Sequence, residues 1–207
     1  MRPELKGALA ALVILTVVGM LGAVIFLKAT GLSARAIPSP VETAVARRLR
    51  ALAVPSDYSR LRNPVLMNDE SVRDGMAHFA DHCAVCHGND GSGNTDMGRG
   101  MFPPAPDMNA SATQLLGDGE LFYIIEQGIR FTGMPAWGTG TLAGEESSWH
   151  LVNFIRHLPK LTPEQLEEMA AMNPRPPADI LQEIEAERFL QGDAVAPSPS
   201  ATGPGRH

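Results

Sequence analysis

The sequence predicts an all-α fold with an amino-terminal transmembrane helix, a small helical domain and a carboxyl-terminal helical extension. A run of 21 uncharged, mostly apolar residues extends from Gly7 to Leu27. Between residues 70 and 158, apolar side chains recur at the three- and four-residue spacing of helices, and no segment shows the alternation that is typical of a strand. These patterns divide the chain into an anchor, a tether with a short helix, a domain, and an extension with a disordered tail, at residues 1–28, 29–69, 70–160 and 161–207.

Composition limits the classes of function. The 207 residues carry a formal net charge of −6, so the chain lacks the excess of basic residues that binds nucleic acid. Only 5% of residues are aromatic. A small domain that is short of large apolar side chains usually needs a cofactor or covalent cross-links for stability. Both cysteines lie in one motif, so none remains for a disulfide framework.

The apolar run at 7–27 is long enough to cross a lipid bilayer. A helix of this length spans roughly 30 Å, the thickness of the hydrocarbon core. A cleaved signal peptide is the alternative, since Ala34-Arg35-Ala36 offers a cleavage site. The run exceeds the ~7–15 apolar residues of a signal peptide, and the site lies well beyond the run's end. An uncleaved anchor is therefore favoured.

A short amphipathic helix is predicted between Pro40 and Val54. Ser39 and Glu42 have the spacing of a capping box, and proline is favoured at the first helical position. Four apolar residues share one face of this helix: Val41, Val45, Leu49 and Leu52. The helix is either a spacer or a surface that lies on lipid headgroups or on a partner subunit.

Helices and loops alternate after residue 70. Two loops rich in glycine, proline and polar residues cover 88–112 and 128–141. Beyond Thr162 a short acidic helix is expected, then a second helix at Ala178–Leu190, and disorder from Gly192 onward. The three helices predicted between 70 and 160 are Glu70–His82, Thr113–Gln127 and Glu145–Leu158.

The motif Cys83-Ala84-Val85-Cys86-His87 carries the chemistry. C-x-x-C-H is the attachment signature of c-type haem. Two cysteines three residues apart, on the last turn of a helix, can each form a thioether with one haem vinyl group, and His87 then lies beneath the iron. A zinc site would require further paired Cys or His, and a thioredoxin-like pair would require a βαβ context. The motif therefore predicts one covalent haem c.

Around this motif, residues 70–160 resemble a class I cytochrome c. The closest likeness is to the single-haem domains of cbb3-oxidase cytochrome subunits and of cytochrome subunits of membrane-bound dehydrogenases. Gly75 and Phe79 resemble the family's pair that packs against the last helix, where Phe154 takes the place of the aromatic partner. Ala105-Pro106-Asp107-Met108 resembles the family's G-P-N-L stretch. The resemblance implies the class I cytochrome c fold.

Met134 is the expected sixth ligand of the iron. It lies 47 residues past His87, in a loop flanked by glycine and proline, which leaves enough chain to wrap around a haem. Gly133–Gly138 also resembles the family's ligand-bearing loop. Met97, Met101 and Met108 lie in the first loop, with less chain to make that turn. The resemblance further implies that the Pro106 carbonyl accepts a hydrogen bond from His87.

These features predict single-electron transfer by an electron carrier or electron-relay subunit rather than an enzyme. Its partners would be redox proteins or neighbouring subunits of a respiratory or photosynthetic complex. The alternative is a haem enzyme, or a ligand sensor with an open or displaceable sixth site. By resemblance, covalent haem attachment occurs outside the bacterial cytoplasmic membrane. The chain is therefore expected to be a single-pass protein of that membrane, with the cytochrome domain on the periplasmic side.

Overall fold

Helices make up all the regular structure of the described residues, which are 3–175 and 177–191 of a computed structural model. Helix α1 spans Pro3–Thr30. Within it, Leu9–Ala29 is long and apolar enough to cross a bilayer, and none of this segment is buried. The predicted all-α class is confirmed. The disordered tail predicted from Gly192 lies outside the described residues.

Helix α2 covers Pro40–Ala53, close to its predicted bounds. The predicted capping box is confirmed: Ser39 Oγ accepts from Glu42 N at 3.2 Å, and Ser39 N donates to Glu42 Oε2 at 2.7 Å. Two donors at the helix start, which have no partner within the helix, are satisfied in this way. A four-residue helix, α3, follows at Ser56–Ser59.

Three helices form the body of the domain: α4 at Asp69–His78, α8 at Asp118–Gln127 and α9 at Leu142–His157. The continuous helix predicted from Thr113 is wrong. It divides into α7, Ser111–Gln114, and α8, because the Gly117 backbone N–H instead donates to the Glu120 carboxylate at 2.8 Å. Helix α9 begins earlier than predicted because Thr141 Oγ1 accepts from Gly144 N and caps it.

Helices α4 and α9 approach very closely at Gly75. A Cβ atom added to Gly75 would lie 2.1 Å from the carbonyl oxygen of His150, so only glycine fits there. One turn later, the rings of Phe79 and Phe154 meet with centroids 5.1 Å apart. The predicted packing of Gly75 and Phe79 against the last helix is confirmed.

The core lies between these helices. Phe79, Val152, Phe154 and Met169 have no exposed surface, and burial of each such side chain contributes roughly 1.5–3 kcal/mol. Met169 belongs to α10, Pro163–Met172, so the first helix of the predicted extension packs into the core. Helix α11 at Pro177–Leu190 completes the described chain.

The second half of the predicted tether also packs against the domain. Val54 is buried. The ring of Tyr58 contacts the rings of Phe122 and Tyr123, with centroid distances of 6.3 and 5.0 Å. Asn63 Nδ2 donates to the carbonyl oxygen of Trp149 at 3.0 Å and to Asn153 Oδ1 at 2.8 Å. Segment 54–68 therefore contacts α8 and α9, whereas α2 has no buried residue.

Candidate haem site

The Cys83–His87 motif follows a break in helical geometry. Helix α4 gives way to a π-helical turn at Phe79–Cys83, where Ala84 N donates to the carbonyl oxygen of Phe79, five residues earlier. Helix α5, Ala84–His87, carries the rest of the motif. The helix predicted at Glu70–His82 is therefore confirmed, and its last turn has π rather than α geometry. Inserted π turns change the direction of the side chains that follow and are frequent at functional sites.

His87 is buried and incompletely hydrogen-bonded. Its side-chain Nδ1 has no hydrogen-bond partner among the described residues. Burial lowers the pKa of His87, and the Pro106 backbone partly offsets this by raising it. The Pro106 carbonyl is thus close to the imidazole, but it does not make a well-aligned hydrogen bond. A neutral imidazole with one ring nitrogen directed at a backbone carbonyl is the form that binds a metal.

The two thiols are free, and neither shows the features of a reactive cysteine. Burial, with a smaller contribution from Cys86, raises the pKa of Cys83 to about 12. Burial also raises the pKa of Cys86. Nucleophilic and redox-active cysteines have lowered pKa values, so the thioredoxin-like alternative is disfavoured. The zinc alternative gains no support either, because no group of three potential metal ligands occurs in the described ranges.

The first loop, which contains the four-residue helix α6 at Asp96–Arg99, folds back tightly on the motif. Gly93 N donates to the carbonyl oxygen of His87 at 2.7 Å. Gly93 has a φ of +71°, and a Cβ atom there would lie 2.3 Å from the carbonyl oxygen of Ala105. Thr95 Oγ1 lies 3.0 Å from the carbonyl oxygen of Cys86. This packing brings Pro106 to the His87 side of the site.

A second, closed loop carries the half-buried Met134. Ile129 N donates to the carbonyl oxygen of Met134, and Met134 N donates to Thr132 Oγ1, both at 3.1 Å. The indole ring of Trp137 lies 5.3 Å from the ring of His82, measured between centroids. The loop is therefore defined by its own hydrogen bonds and contacts the chain segment that leads into Cys83.

Met101 is the feature that the sequence argument did not anticipate. A Cβ atom placed on Gly133 would lie only 2.0 Å from Met101 Sδ, so this thioether packs against the residue that precedes Met134. The first loop thus reaches the second. The other two candidates are less well placed: Met97 is exposed, and Met108 packs against the core.

Sequence reasoning also missed Glu126. This buried carboxylate accepts a 2.6 Å hydrogen bond from Ser148 Oγ, which links α8 to α9. Its backbone carbonyl accepts from Gly138 N, at the end of the Met134 loop. Glu126 therefore connects this loop to both helices. The available signal was its position beside buried Ile125, on the apolar side of α8.

Known proteins match the same part of the chain. Residues 70–155 match the family described as cytochrome c oxidase, cbb3-type, subunit III. Two curated relatives, the cbb3-type cytochrome c oxidase subunits FixP of Sinorhizobium medicae (strain WSM419) and Rhizobium meliloti (strain 1021), are each 43% identical over 67 residues. That stretch is 32% of this chain and 21% of each relative, so the chain spans about a fifth of the relatives' length.

Three observations point to the same class of protein. They are the helical packing around Gly75 and Phe154, the buried His87 in a C-x-x-C-H motif, and the family match. Residues 70–155 resemble a class I c-type cytochrome domain of the kind found in the cytochrome subunits of cbb3-type oxidases.

Proposed function

We propose that this chain transfers single electrons through one covalently bound haem c, as a membrane-anchored cytochrome or a cytochrome subunit of a respiratory or photosynthetic complex. The observation that carries the proposal is the buried His87 beside two free thiols in a C-x-x-C-H motif. One haem is proposed because the chain has only two cysteines.

Each candidate residue has a distinct role in this proposal. Cys83 and Cys86 would hold the haem through thioethers, and His87 and Met134 would be the protein ligands of its iron. The Pro106 carbonyl lies close to the His87 imidazole. It would accept from the ring nitrogen that is not bound to the iron and so fix the orientation of the ring. When bound, haem c supplies a couple between ferric and ferrous iron, and histidine–methionine ligation raises its reduction potential.

The surrounding residues keep the site closed. The core beside His87 contains Phe79 and Phe154, which exclude water from the proximal side. The hydrogen bonds within the Met134 loop and its connection to Glu126 restrict how far Met134 can move. A site in which both ligands are held in place favours electron transfer over substrate binding, because electron transfer then requires little rearrangement.

We further propose that α1 anchors the chain in the bacterial cytoplasmic membrane through residues 7–27. The length and composition of Leu9–Ala29 support a single membrane crossing. The cytochrome domain would then lie on the periplasmic side, where c-type haem is attached. Its partners would be redox proteins or neighbouring membrane subunits, a role supported by the likeness to oxidase subunits.

Optical spectroscopy of the purified protein tests the haem and its ligands. The c-type bands of the reduced protein should survive acid–acetone extraction, because thioethers are not broken by that treatment. The oxidised protein should show the weak red-edge band of methionine-ligated ferric iron. Met134→Ala should abolish this band, whereas Met101→Ala should retain it.

Met101→Ala is an informative comparison because the Met101 thioether approaches Gly133, the residue that precedes Met134. If Met101→Ala abolishes the band and Met134→Ala does not, the ligand assignment is wrong but electron transfer stands. If the wild type lacks the band and binds carbon monoxide readily, the sixth site is open. The haem enzyme or sensor would then replace the electron carrier as the better interpretation.

A further inference from the structure

We propose that helix α2 lies on the membrane surface, with its apolar face in the headgroup region of anionic lipid, and so holds the cytochrome domain close to the bilayer. This inference rests on α1 being a membrane anchor, as proposed above. It does not depend on the identity of the haem ligands.

The apolar face of α2 has no cover in the structure. Helix α2 contains no buried residue. Its four large apolar side chains are 52–82% exposed: Val41 71%, Val45 52%, Leu49 60% and Leu52 82%. At 100° per residue they fall within an arc of about 80° along the 14-residue helix. Burying this face in lipid would remove a continuous apolar strip from water, which is favourable.

Charge indicates that the occupant is anionic lipid. Residues 28–53 contain five basic residues and one acidic residue, a net charge of +4 in a chain whose total is −6. Arg47 and Arg50 lie opposite the apolar arc, and Arg48 lies at its edge. Basic residues around a narrow apolar face are typical of helices that lie in the plane of a membrane surface and are attracted to anionic lipid.

The chain path keeps α2 near the bilayer. Only nine residues, 31–39, separate the end of α1 at Thr30 from Pro40. Fully extended they would span roughly 30 Å. They do not extend fully, because Ala36 N donates to the carbonyl oxygen of Ser33 and closes a turn. At the other end, buried Val54 connects α2 directly to the packed segment of the cytochrome domain.

Introduced cysteines can test the placement in the full-length holoprotein. Leu49→Cys and Val45→Cys lie on the apolar face, and Thr43→Cys lies about 160° from the centre of the apolar arc. Each variant would carry an environment-sensitive fluorophore in vesicles of phosphatidylethanolamine and phosphatidylglycerol, with and without brominated acyl chains. The protein without an introduced cysteine must stay unlabelled, because thioethers block Cys83 and Cys86.

We expect brominated lipid to reduce the fluorescence at positions 45 and 49 roughly two- to threefold and to leave position 43 nearly unchanged. Replacing phosphatidylglycerol by phosphatidylcholine, or Arg47, Arg48 and Arg50 by glutamine, should weaken the quenching. If lipid composition makes no difference, the assignment to anionic lipid is wrong.

Two further outcomes would overturn the inference and identify its weak step. Labels at 45 and 49 that are unquenched in vesicles but shielded in native membranes would show that α2 contacts a partner protein. A chain that does not float with the vesicles would contradict the anchor itself. Labelling of the protein without an introduced cysteine would contradict the haem attachment. This result can be told apart from the two outcomes that concern α2 and the anchor.

Discussion

At the scale of single residues, Gly75 has the clearest consequence for stability. An alanine Cβ there would overlap the carbonyl of His150 at 2.1 Å and approach Phe154 Cβ at 2.8 Å. Neither atom is the end of a flexible side chain, so α4 and α9 would have to separate. We expect Gly75→Ala to lower the free energy of unfolding by about 2–4 kcal/mol, measured by denaturant unfolding of the purified protein.

Gly100→Ala is the matched control for this substitution. Gly100 has a φ of −81°, and its added Cβ would come no closer than 3.2 Å to a neighbouring atom. A change below about 1 kcal/mol is expected there. Equal effects of the two substitutions would contradict the close approach of α4 and α9.

His78 predicts a dependence of stability on pH. Burial and the charge of His82 lower the pKa of His78, while Asp81 acts in the opposite direction. The unfolded chain then binds a proton more readily than the folded one. This contribution to stability is complete above the unfolded value of about 6.5 and falls as the pH drops through it.

His78→Gln removes this titration. Unfolding curves followed by haem absorbance at pH 7.5 and 5.5 should show a larger loss of stability for the wild type than for the variant. A variant that loses as much stability as the wild type between these pH values would show that His78 is not the source.

The sequence indicates the candidate haem residues more directly than it indicates their surroundings. Cys83, Cys86 and His87 stand in a motif whose spacing alone specifies the chemistry. The approach of Met101 to Gly133 and the burial of Glu126 depend on how two distant loops fold back, and no local pattern encodes such contacts. The position of Glu126 beside apolar residues would indicate that its carboxylate is buried only if its hydrogen-bond partner, Ser148, were already known.

At the scale of helices, α10 is the element whose role differs most from expectation. Its Met169 side chain has no exposed surface and packs into the core, although the helix was predicted to belong to an extension. We expect Met169→Ala to cost about 2–5 kcal/mol of unfolding free energy, because it leaves a cavity between α10 and the π-helical turn. Half-buried Met172, on the same helix, is the control, and Met172→Ala should cost less.

Helix boundaries were predictable where the sequence contains a capping motif. The Ser39–Glu42 box fixed the start of α2. The π turn at Phe79–Cys83 was not predictable, because apolar periodicity does not distinguish a π turn from an α turn. The break at Gly117 was missed because it depends on the hydrogen bond from the Gly117 backbone to the Glu120 carboxylate. Both deviations adjoin the site or its loops, where tertiary contacts override local preference.

At the scale of the whole molecule, contacts of the predicted tether bear on the boundary at residue 70, where the sequence divides tether from domain. We propose that the stable unit starts near Val54, because Tyr58 and Asn63 contribute aromatic and hydrogen-bond contacts to α8 and α9. Helix α2, without buried residues, would then be the only helix between the anchor and this unit in the described chain.

Two truncations locate this boundary. Deleting residues 1–53 removes α1 and α2 but none of the contacts of segment 54–68, so the unfolding free energy should change by less than about 1 kcal/mol. Deleting residues 1–68 removes the Tyr58 ring contacts and leaves the Trp149 carbonyl and Asn153 without the Asn63 amide. A loss of at least about 3 kcal/mol is expected, measured by denaturant unfolding of both holoproteins.

The substitution Asn63→Ala in the longer truncation product, residues 54–207, separates the hydrogen bonds from the ring contacts. It should account for about 1–3 kcal/mol, because it leaves buried polar groups on α9 unpaired. If both truncations are equally stable, the boundary at residue 70 holds and segment 54–68 is only a spacer. A domain that begins at Val54 would instead couple the orientation of its haem edge to α2, and through α2 to the membrane surface.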